Sequence, residues 1–408
     1  MIAVAEVPAF PFERPPLAPP VALDQIRRNE PLKKVRLWNG ADAWIVVRHD
    51  DFRAILADNR FSVNPLHPGY PNVSEARASL MLKEEPTLVR LDPPEHTALR
   101  RMLAKEFTPS RMLALRASVQ ETVDRLIADM LEKGPPADFY HDFALPIPSV
   151  VISQMLGVPY DDHHFFQDRG SKKLAFNAHP DVPLKAAAEM RDYMDRLITE
   201  KERKPGDDLV TRLLHDQIQP GHLSREEAVR LCEFLLVAGH ETTANMIALG
   251  TLSLLLDREQ YDCLIADPSL SGRAIEEMLR FHSIVQYGLS RVATEDVDIN
   301  GQVIRAGDGV ISLINAANWD PSAHPDPDRF DIRKKRSMHV AFGFGVHQCL
   351  GQPLARLEMD VVFATLPNRM PTLDLAVAAK DIEFKQDALV YGVERLPVTW
   401  QTGGGQAQ

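Results

Sequence analysis

One uninterrupted helical stretch constrains this chain more than any other feature. The hydroxyl of Ser224 can serve the first turn and Glu227, three residues on, can reach back to it, which makes a capping box. Apolar spacing then continues to about Leu256. At 1.5 Å per residue such a helix spans roughly 50 Å, so it crosses the molecule and everything else must pack around it. Midway, Ala238-Gly-His-Glu-Thr-Thr243 interrupts the apolar turns with a glycine, an acid and two hydroxyls. Gly239 costs about 1 kcal/mol relative to alanine, and threonine hydroxyls compete for the helix's own carbonyls. Phe234, Ala238, Glu241 and Thr242 are spaced to share one helix face. A polar notch on such a face reads either as a close helix crossing or as a place where chemistry is done.

The rest of the chain is also mostly helical. Thr108 can cap and Pro109 can open a helix to about Lys133, stopped by Gly134 and two prolines. Shorter helices are predicted over Met190 to Arg203 and Asp208 to Gln217. Two strand pairs turn on Asn-Gly, which favours tight hairpins: Val35 to Leu37 with Ala43 to Val47, and Val297 to Ile299 with Val303 to Ile304. The expected class is mainly α with small β-sheets. Although 408 residues could hold two or three domains, the long helix favours a single domain over 1–408, ordered from about 10 to 400, with a flexible Gly/Gln-rich tail over 402–408.

A formal net charge of -11 argues against a general nucleic-acid surface. Cys232, Cys263 and Cys349 show no paired spacing, which disfavours a disulfide framework or a zinc site and suits a reducing cytoplasm. The opening residues lack a basic leader and run into Pro8, Pro11, Pro15, Pro16, Pro19 and Pro20, so no signal peptide is expected. No window reaches about 18 apolar residues, the length of a membrane span. The expectation is a soluble, cytoplasmic protein, and a monomer.

The stretch Phe342-Gly-Phe-Gly-Val-His-Gln-Cys-Leu-Gly351 places Cys349 in a glycine-punctuated loop before an apolar helix over Leu350 to Ala364. Gly343 and Gly345 permit unusual backbone angles, and Gly351 allows close approach to a flat object. Amides at the start of the helix would point at the sulfur and favour a thiolate. A buried structural cysteine is the ordinary alternative. The whole ten-residue pattern resembles the heme-binding signature of the cytochrome P450 family, whose single thiolate ligates heme iron. The resemblance runs from about Phe10 to Trp400. It implies that family's fold, a helix-rich triangular prism with a long central helix over the heme.

On that resemblance, Cys349 is the axial ligand of heme b, and Phe342, Gly343, Gly351 and Ala238 lie against the heme. Glu241 and Thr242 look like the family's acid-alcohol pair, Glu241 delivering protons and Thr242 holding dioxygen and a water. Glu277 and Arg280, in Glu277-Met-Leu-Arg280, resemble with Arg329 of Pro327-Asp-Arg-Phe330 the structural triad that braces the cysteine loop. His96, Arg100, Arg291 and His347 match the positions that hold the heme propionates. Substrate walls are matched to Phe234, Val237, Ile284, Val285, Gln286, Tyr287, Leu289, Leu389 and Val390, with lids over Asn64 to Leu88 and Leu174 to Leu184. These imply an apolar to amphipathic organic substrate.

The activity implied is a monooxygenase that hydroxylates or epoxidises with O2, its electrons coming from NAD(P)H through a ferredoxin reductase and a ferredoxin. Arg333-Lys-Lys-Arg336, with Arg100, Arg101, Lys105 and Arg111, forms a candidate patch for that acidic ferredoxin. Pro353 suits the first turn of the helix after the cysteine, whereas Pro367 should end that helix early. The chain also resembles fungal nitric oxide reductases of the same superfamily in Pro8-Ala-Phe-Pro-Phe12, in Pro220-Gly-His222 and before Trp400. Those enzymes use NADH directly, but they lack the acid that this chain has in Glu241, and basic residues near their distal opening hold the cofactor where Val63 to Pro68 offers only His67. A non-catalytic heme gas sensor or carrier is the alternative from another class, against which the proton-handling pair argues.

Overall fold

The computed structural model describes residues 7–335 and 338–402. The flexible tail expected beyond Thr402 lies outside the described residues, as does Arg336 of the basic run. At the centre runs the helix Arg225–Leu256, opened by the capping box as read: the Glu227 amide donates to Ser224 Oγ at 3.2 Å and the Ser224 amide to Glu227 Oε2 at 2.9 Å. Buried residues occur all round this helix, as expected of one enclosed by others. It packs on Pro146–Leu156, Asp181–Arg203, Ser271–His282 and Gln352–Arg369. Gly239 marks the first crossing, where a Cβ would lie 2.8 Å from Ile152 Cγ1. The notch therefore does contain a packing glycine.

Pro109–Lys133 forms between the Thr108 cap and Gly134, whose φ is +78°. Three helices depart from expectation. Asp181–Arg203 starts nine residues before Met190, because Pro183 lies in its first turn, where no backbone donor is needed. Asp208 caps only a short helix, Leu209–Leu213, which continues as a π turn over Leu214–Ile218. Gln352–Arg369 runs through Pro367 to the end. The proline sits in the last turn, the Met370 amide still donates to Leu366 O at 2.9 Å, and Phe363, Leu366 and Pro367 are buried.

The main sheet has five strands in the order Leu32–Arg36, Asp42–Val46, Gly309–Ser312, Leu289–Ala293, Phe61–Ser62. Asp42–Val46 and Gly309–Ser312 pair in parallel and the other neighbours antiparallel. Both Asn-Gly hairpins form. At the second, Asn300 and Gly301 take φ of 52° and 85°, the two positive angles that a tight hairpin turn needs. The strand Leu289–Ala293 matters most for function, because it carries Leu289 and Arg291 to the edge of the cysteine loop. The first predicted lid contains a helix, Glu75–Lys83, capped by Ser74. Among the described residues no helix is long and apolar enough to cross a membrane.

Candidate heme-thiolate site

The cysteine loop is held open by its glycines. Gly343 and Gly345 both have φ +72°, and a Cβ on Gly345 would lie 2.2 Å from Leu56 O. The Cys349 amide donates to Phe342 O at 2.9 Å, and Arg100 Nη2 donates to Gln348 O at 2.7 Å. Burial pushes the Cys349 thiol up, while the Gly351 amide, Arg100, the Gln352 amide and Arg356 pull it down. The amides thus act as the sequence suggested, but burial outweighs them. Among the described residues no cluster of three or more His, Cys, Asp or Glu could hold a metal ion, so a metal here would rely on Cys349 and a ligand of its own.

Cys349 opens into a largely apolar cavity with about 300 Å³ of space for water. Phe342, Gly343, Leu350, Gly351 and Leu354 belong to the cysteine side, and Ala238, Gly239, Thr242, Thr243 and Met246 to the long helix. At one edge His96 and His347 lie with ring centroids 4.0 Å apart, and the Nδ1 atom of each is buried without a partner. Burial, reinforced by His96, Arg291 and Arg100, pushes His347 down to about 3. Burial also lowers Arg291 to about 10, against the attraction of Tyr70 and Asp92. Asp92 is itself engaged by Ser62 and the Val63 amide. Four nitrogen-bearing side chains therefore converge short of acceptors, which is what two buried carboxylates would need. Sulfur, glycines, apolar walls and this edge fit heme b.

Glu277 and Arg280 form a buried two-bond pair, Nε to Oε2 at 2.8 Å and Nη2 to Oε1 at 2.7 Å. Arg280 also donates to Asn318 O at 3.0 Å and Pro327 O at 2.8 Å, tying the segments ahead of the cysteine loop together. The third member of the predicted triad differs. The Arg329 side chain is 65% exposed and pairs with Asp331 at 3.5 Å, so it does not reach Glu277. Only its carbonyl takes part, 3.4 Å from Arg280 Nη2, while Lys334 Nζ lies 3.6 Å from Glu277 Oε1. A nearby aspartate on the same turn captures the arginine, and the lysine takes its place.

Glu241 and Thr242 also separate. Thr242 lines the cavity, its hydroxyl donating to Ala238 O at 2.8 Å. Glu241 does not line it: successive helical residues lie about 100° apart, and a buried cation waits on its side. Glu241 Oε1 is 3.7 Å from Lys385 Nζ, which donates to the Tyr140 hydroxyl at 2.7 Å, and Glu241 Oε2 has no partner.

Of the predicted substrate walls, Phe234, Ile284, Val285 and Leu289 line the cavity. Val237, Gln286, Tyr287, Leu389 and Val390 do not. Val237 is buried in the main core. Gln286 Nε2 donates to Lys385 O at 3.0 Å and Ala388 O at 2.7 Å, and the Tyr287 hydroxyl to Gln386 O at 2.8 Å, so backbone carbonyls have taken the donors assigned to substrate. Leu389 packs with the sheet-side core and Val390 pairs with the backbone of Val285. Gln286 and Tyr287 instead border a second, more open cavity of about 720 Å³ beside Arg14 and Glu75.

Sequence reasoning passed over Val89, Thr243, Met246 and Met359 as lining, and Lys385, Tyr140 and Glu358 as neighbours of the site. Glu358 had a readable signal, a lone acid on an apolar helix. It is fully buried, faces Thr243, and burial pushes it up to about 8. The basic run is thinner than expected, since Arg333 pairs with Glu259 at 3.0 Å and Asp331 at 3.2 Å and Lys334 folds back on Glu277. Arg100 faces the cavity, whereas Arg101, Lys105 and Arg111 remain exposed.

Known proteins place this geometry. The family model described as cytochrome P450 matches residues 33–267 and 269–370. Pentalenic acid synthase of Streptomyces avermitilis is 45% identical over 393 residues, covering 96% of this chain and 97% of the relative. Vitamin D3 dihydroxylase of Streptomyces griseolus is 43% identical, covering 97% of both. The crystal structure of CYP105P1 in complex with filipin I superimposes with a TM-score of 0.92 at 37% identity, covering 98% of this chain and 100% of that one. With the cysteine loop, the buried Glu277–Arg280 pair and the long helix in place, the chain belongs to the cytochrome P450 family.

Proposed function

We propose that this protein is a single-domain heme-thiolate monooxygenase that hydroxylates or epoxidises an apolar to amphipathic organic molecule with O2. The observation that carries the reading is that Cys349 and the Thr242 hydroxyl open into one apolar cavity, whose edge gathers the buried, unpartnered Nδ1 atoms of His96 and His347 beside Arg100. Heme, held by Cys349 and by His96, Arg100, Arg291 and His347 at its propionates, supplies the iron at which O2 is activated. Thr242 presents its hydroxyl to the cavity where the substrate would be oxidised. Glu241 is the proton donor, and its pairing with Lys385, which in turn donates to the Tyr140 hydroxyl, keeps it out of the cavity until its side chain turns. Glu277 and Arg280 keep the loop in shape. Phe234, Ile284, Val285 and Leu289 hold the substrate, and their lack of polar groups favours hydrocarbon.

The named relatives are linked to different organic molecules: one is a dihydroxylase of vitamin D3 and the other a synthase of pentalenic acid. Electrons come from NAD(P)H through a ferredoxin reductase and a ferredoxin that docks by Arg101, Lys105 and Arg111, in a cytoplasmic monomer. The Thr242→Ala variant tests the assignment. It should consume reductant while releasing peroxide in place of product, whereas an unchanged product yield contradicts the role given to Thr242. Oxidation of NADH by the nitric oxide complex without added redox proteins would move the protein to the reductase branch.

A further inference from the structure

The second cavity, beside Arg14 and Glu75, has no part in the proposed oxidation. It offers about 720 Å³, a size that takes an organic molecule and not merely a few waters. It shares no lining residue with the cavity of Cys349. Residues 284–289 form the partition, with Ile284, Val285 and Leu289 on the thiolate side and Gln286 and Tyr287 on the other. Four aromatic side chains from separate segments line the second cavity: Phe12, Trp38, Phe176 and Tyr287. Phe176 and Tyr287 are stacked, with ring centroids 3.9 Å apart, and both are buried. Trp38, at the turn of the first hairpin, is 46% exposed, yet its indole Nε1 donates to Asn72 O at 2.9 Å. That bond sets the ring's orientation while leaving much of its surface open.

The charges around these rings are nearly all of one sign. Glu13, Glu75 and Asp387 line the cavity, and all three are exposed. Among the described residues neither Glu13 nor Glu75 enters an ion pair or a side-chain hydrogen bond, and Asp387 takes a neutral partner, Asn177 Nδ2 at 2.5 Å. Arg14 is the only cation lining the cavity among the described residues, and its nitrogens are spent on carbonyls. Nε donates to Ala18 O at 3.2 Å, Nη2 to His282 O at 2.6 Å and Nη1 to Ser283 O at 3.4 Å, while the guanidinium lies 3.7 Å from the centre of the Tyr391 ring. Aromatic faces attract a cation, tryptophan most strongly, and they hold quaternary ammonium groups. Clustered carboxylates draw the same charge in and repel an anion. We propose that this cavity is a binding site for an organic cation with an aromatic body, its charged head toward Glu13, Glu75 and Asp387 and its ring against Trp38 and the Phe176–Tyr287 stack. The inference goes beyond the monooxygenase reading and does not need it, because none of these residues borders the thiolate cavity.

The test titrates the heme-loaded protein with naphthylmethyl-trimethylammonium, naphthylmethanol and naphthylacetate, which join one aromatic body to a positive, a neutral and a negative head. Equilibrium dialysis counts the bound molecule, and the heme absorption spectrum shows whether it enters the thiolate cavity. The cation should bind about tenfold or more tightly than the alcohol without moving the spectrum, and the acetate should bind least. The double variant Glu13→Gln with Glu75→Gln should cut the cation's affinity about tenfold and leave the alcohol's as it was. Both side chains are exposed, so the fold is kept. Equal binding of cation and alcohol, no measurable binding of the cation, or cation binding that the double variant leaves intact overturns the inference. So does cation binding that moves the heme spectrum over the same concentrations, which would put the molecule in the other cavity. A dimer in solution that Trp38→Asp separates would give the cleft to a second copy of the chain and overturn it too. Failure of the unsubstituted protein to give a thiolate-heme spectrum removes the functional reading alone, and the dialysis series still decides the cation site.

Discussion

Lys385 shows how much of a site can rest on one side chain that carries no motif. It pairs with Glu241 at 3.7 Å, with side-chain exposures of 11% for the lysine and 6% for the acid. Removing one partner of a buried pair leaves the other uncompensated, typically about 3 kcal/mol or more. Lys385→Met should therefore lower stability by roughly 2–4 kcal/mol, and Glu241→Gln in the same chain should recover part of the loss. Urea unfolding of the two single variants and the double variant measures this, and additive losses would show that the pair is not coupled. Glu358 makes a second prediction, about pH. Burial raises its folded pKa to about 8 from the ordinary value of 4.5, so the folded protein holds a proton that the unfolded chain releases. This contribution is fully present below the unfolded value and fades as pH rises from there through the folded one, by up to about 1.4 kcal/mol per unit. Glu358→Gln should flatten that slope between pH 5 and 8 in urea titrations. Cys349, Thr242 and the Glu277–Arg280 pair were legible because each lies in a short local pattern. Lys385 was not, because its partner is distant in sequence, and Arg329 was misjudged because spacing does not tell which of two acids a surface arginine will choose.

At the scale of elements, the sequence was most readable where chain chemistry acts locally. The Ser224 capping box, the Thr108 cap and the two Asn-Gly hairpins all formed where they were expected. Proline signals were less dependable, because their effect depends on position: Pro183 falls in a first turn and Pro367 in a last one. Gly239 has a double character, lining the cavity while allowing the long helix to meet Ile152 closely. Alanine is the better helix former by about 1 kcal/mol, yet a Cβ here meets Ile152 atoms at 2.8 and 2.9 Å. Gly239→Ala should therefore destabilise the protein by about 1–2 kcal/mol in thermal or chemical unfolding, since overpacking outweighs propensity. A gain in stability would mean that Ile152 moves aside freely.

For the whole molecule, the sheet and the helices meet around one space. The long helix provides one wall, the cysteine loop and its helix another, and the strand Leu289–Ala293 the edge where Arg291 sits. Composition hinted at none of this, and the substrate walls were half misplaced because residues consecutive in sequence, such as Val285 and Gln286, face different cavities. The surface has its own expectation. Docking through Arg101, Lys105 and Arg111 predicts that ferredoxin-supported turnover weakens as salt rises, and turnover indifferent to salt would exclude an electrostatic dock. The central claim, that the cavity holds heme through the sulfur of Cys349, is tested most directly by the absorption spectrum of the reduced, carbon-monoxide-bound protein. The account predicts the strongly red-shifted Soret band of a thiolate-ligated heme, lost in Cys349→His with heme still bound. A Soret band at the position given by an imidazole ligand in the unsubstituted, folded protein, or a red-shifted band that survives in Cys349→His, would contradict it.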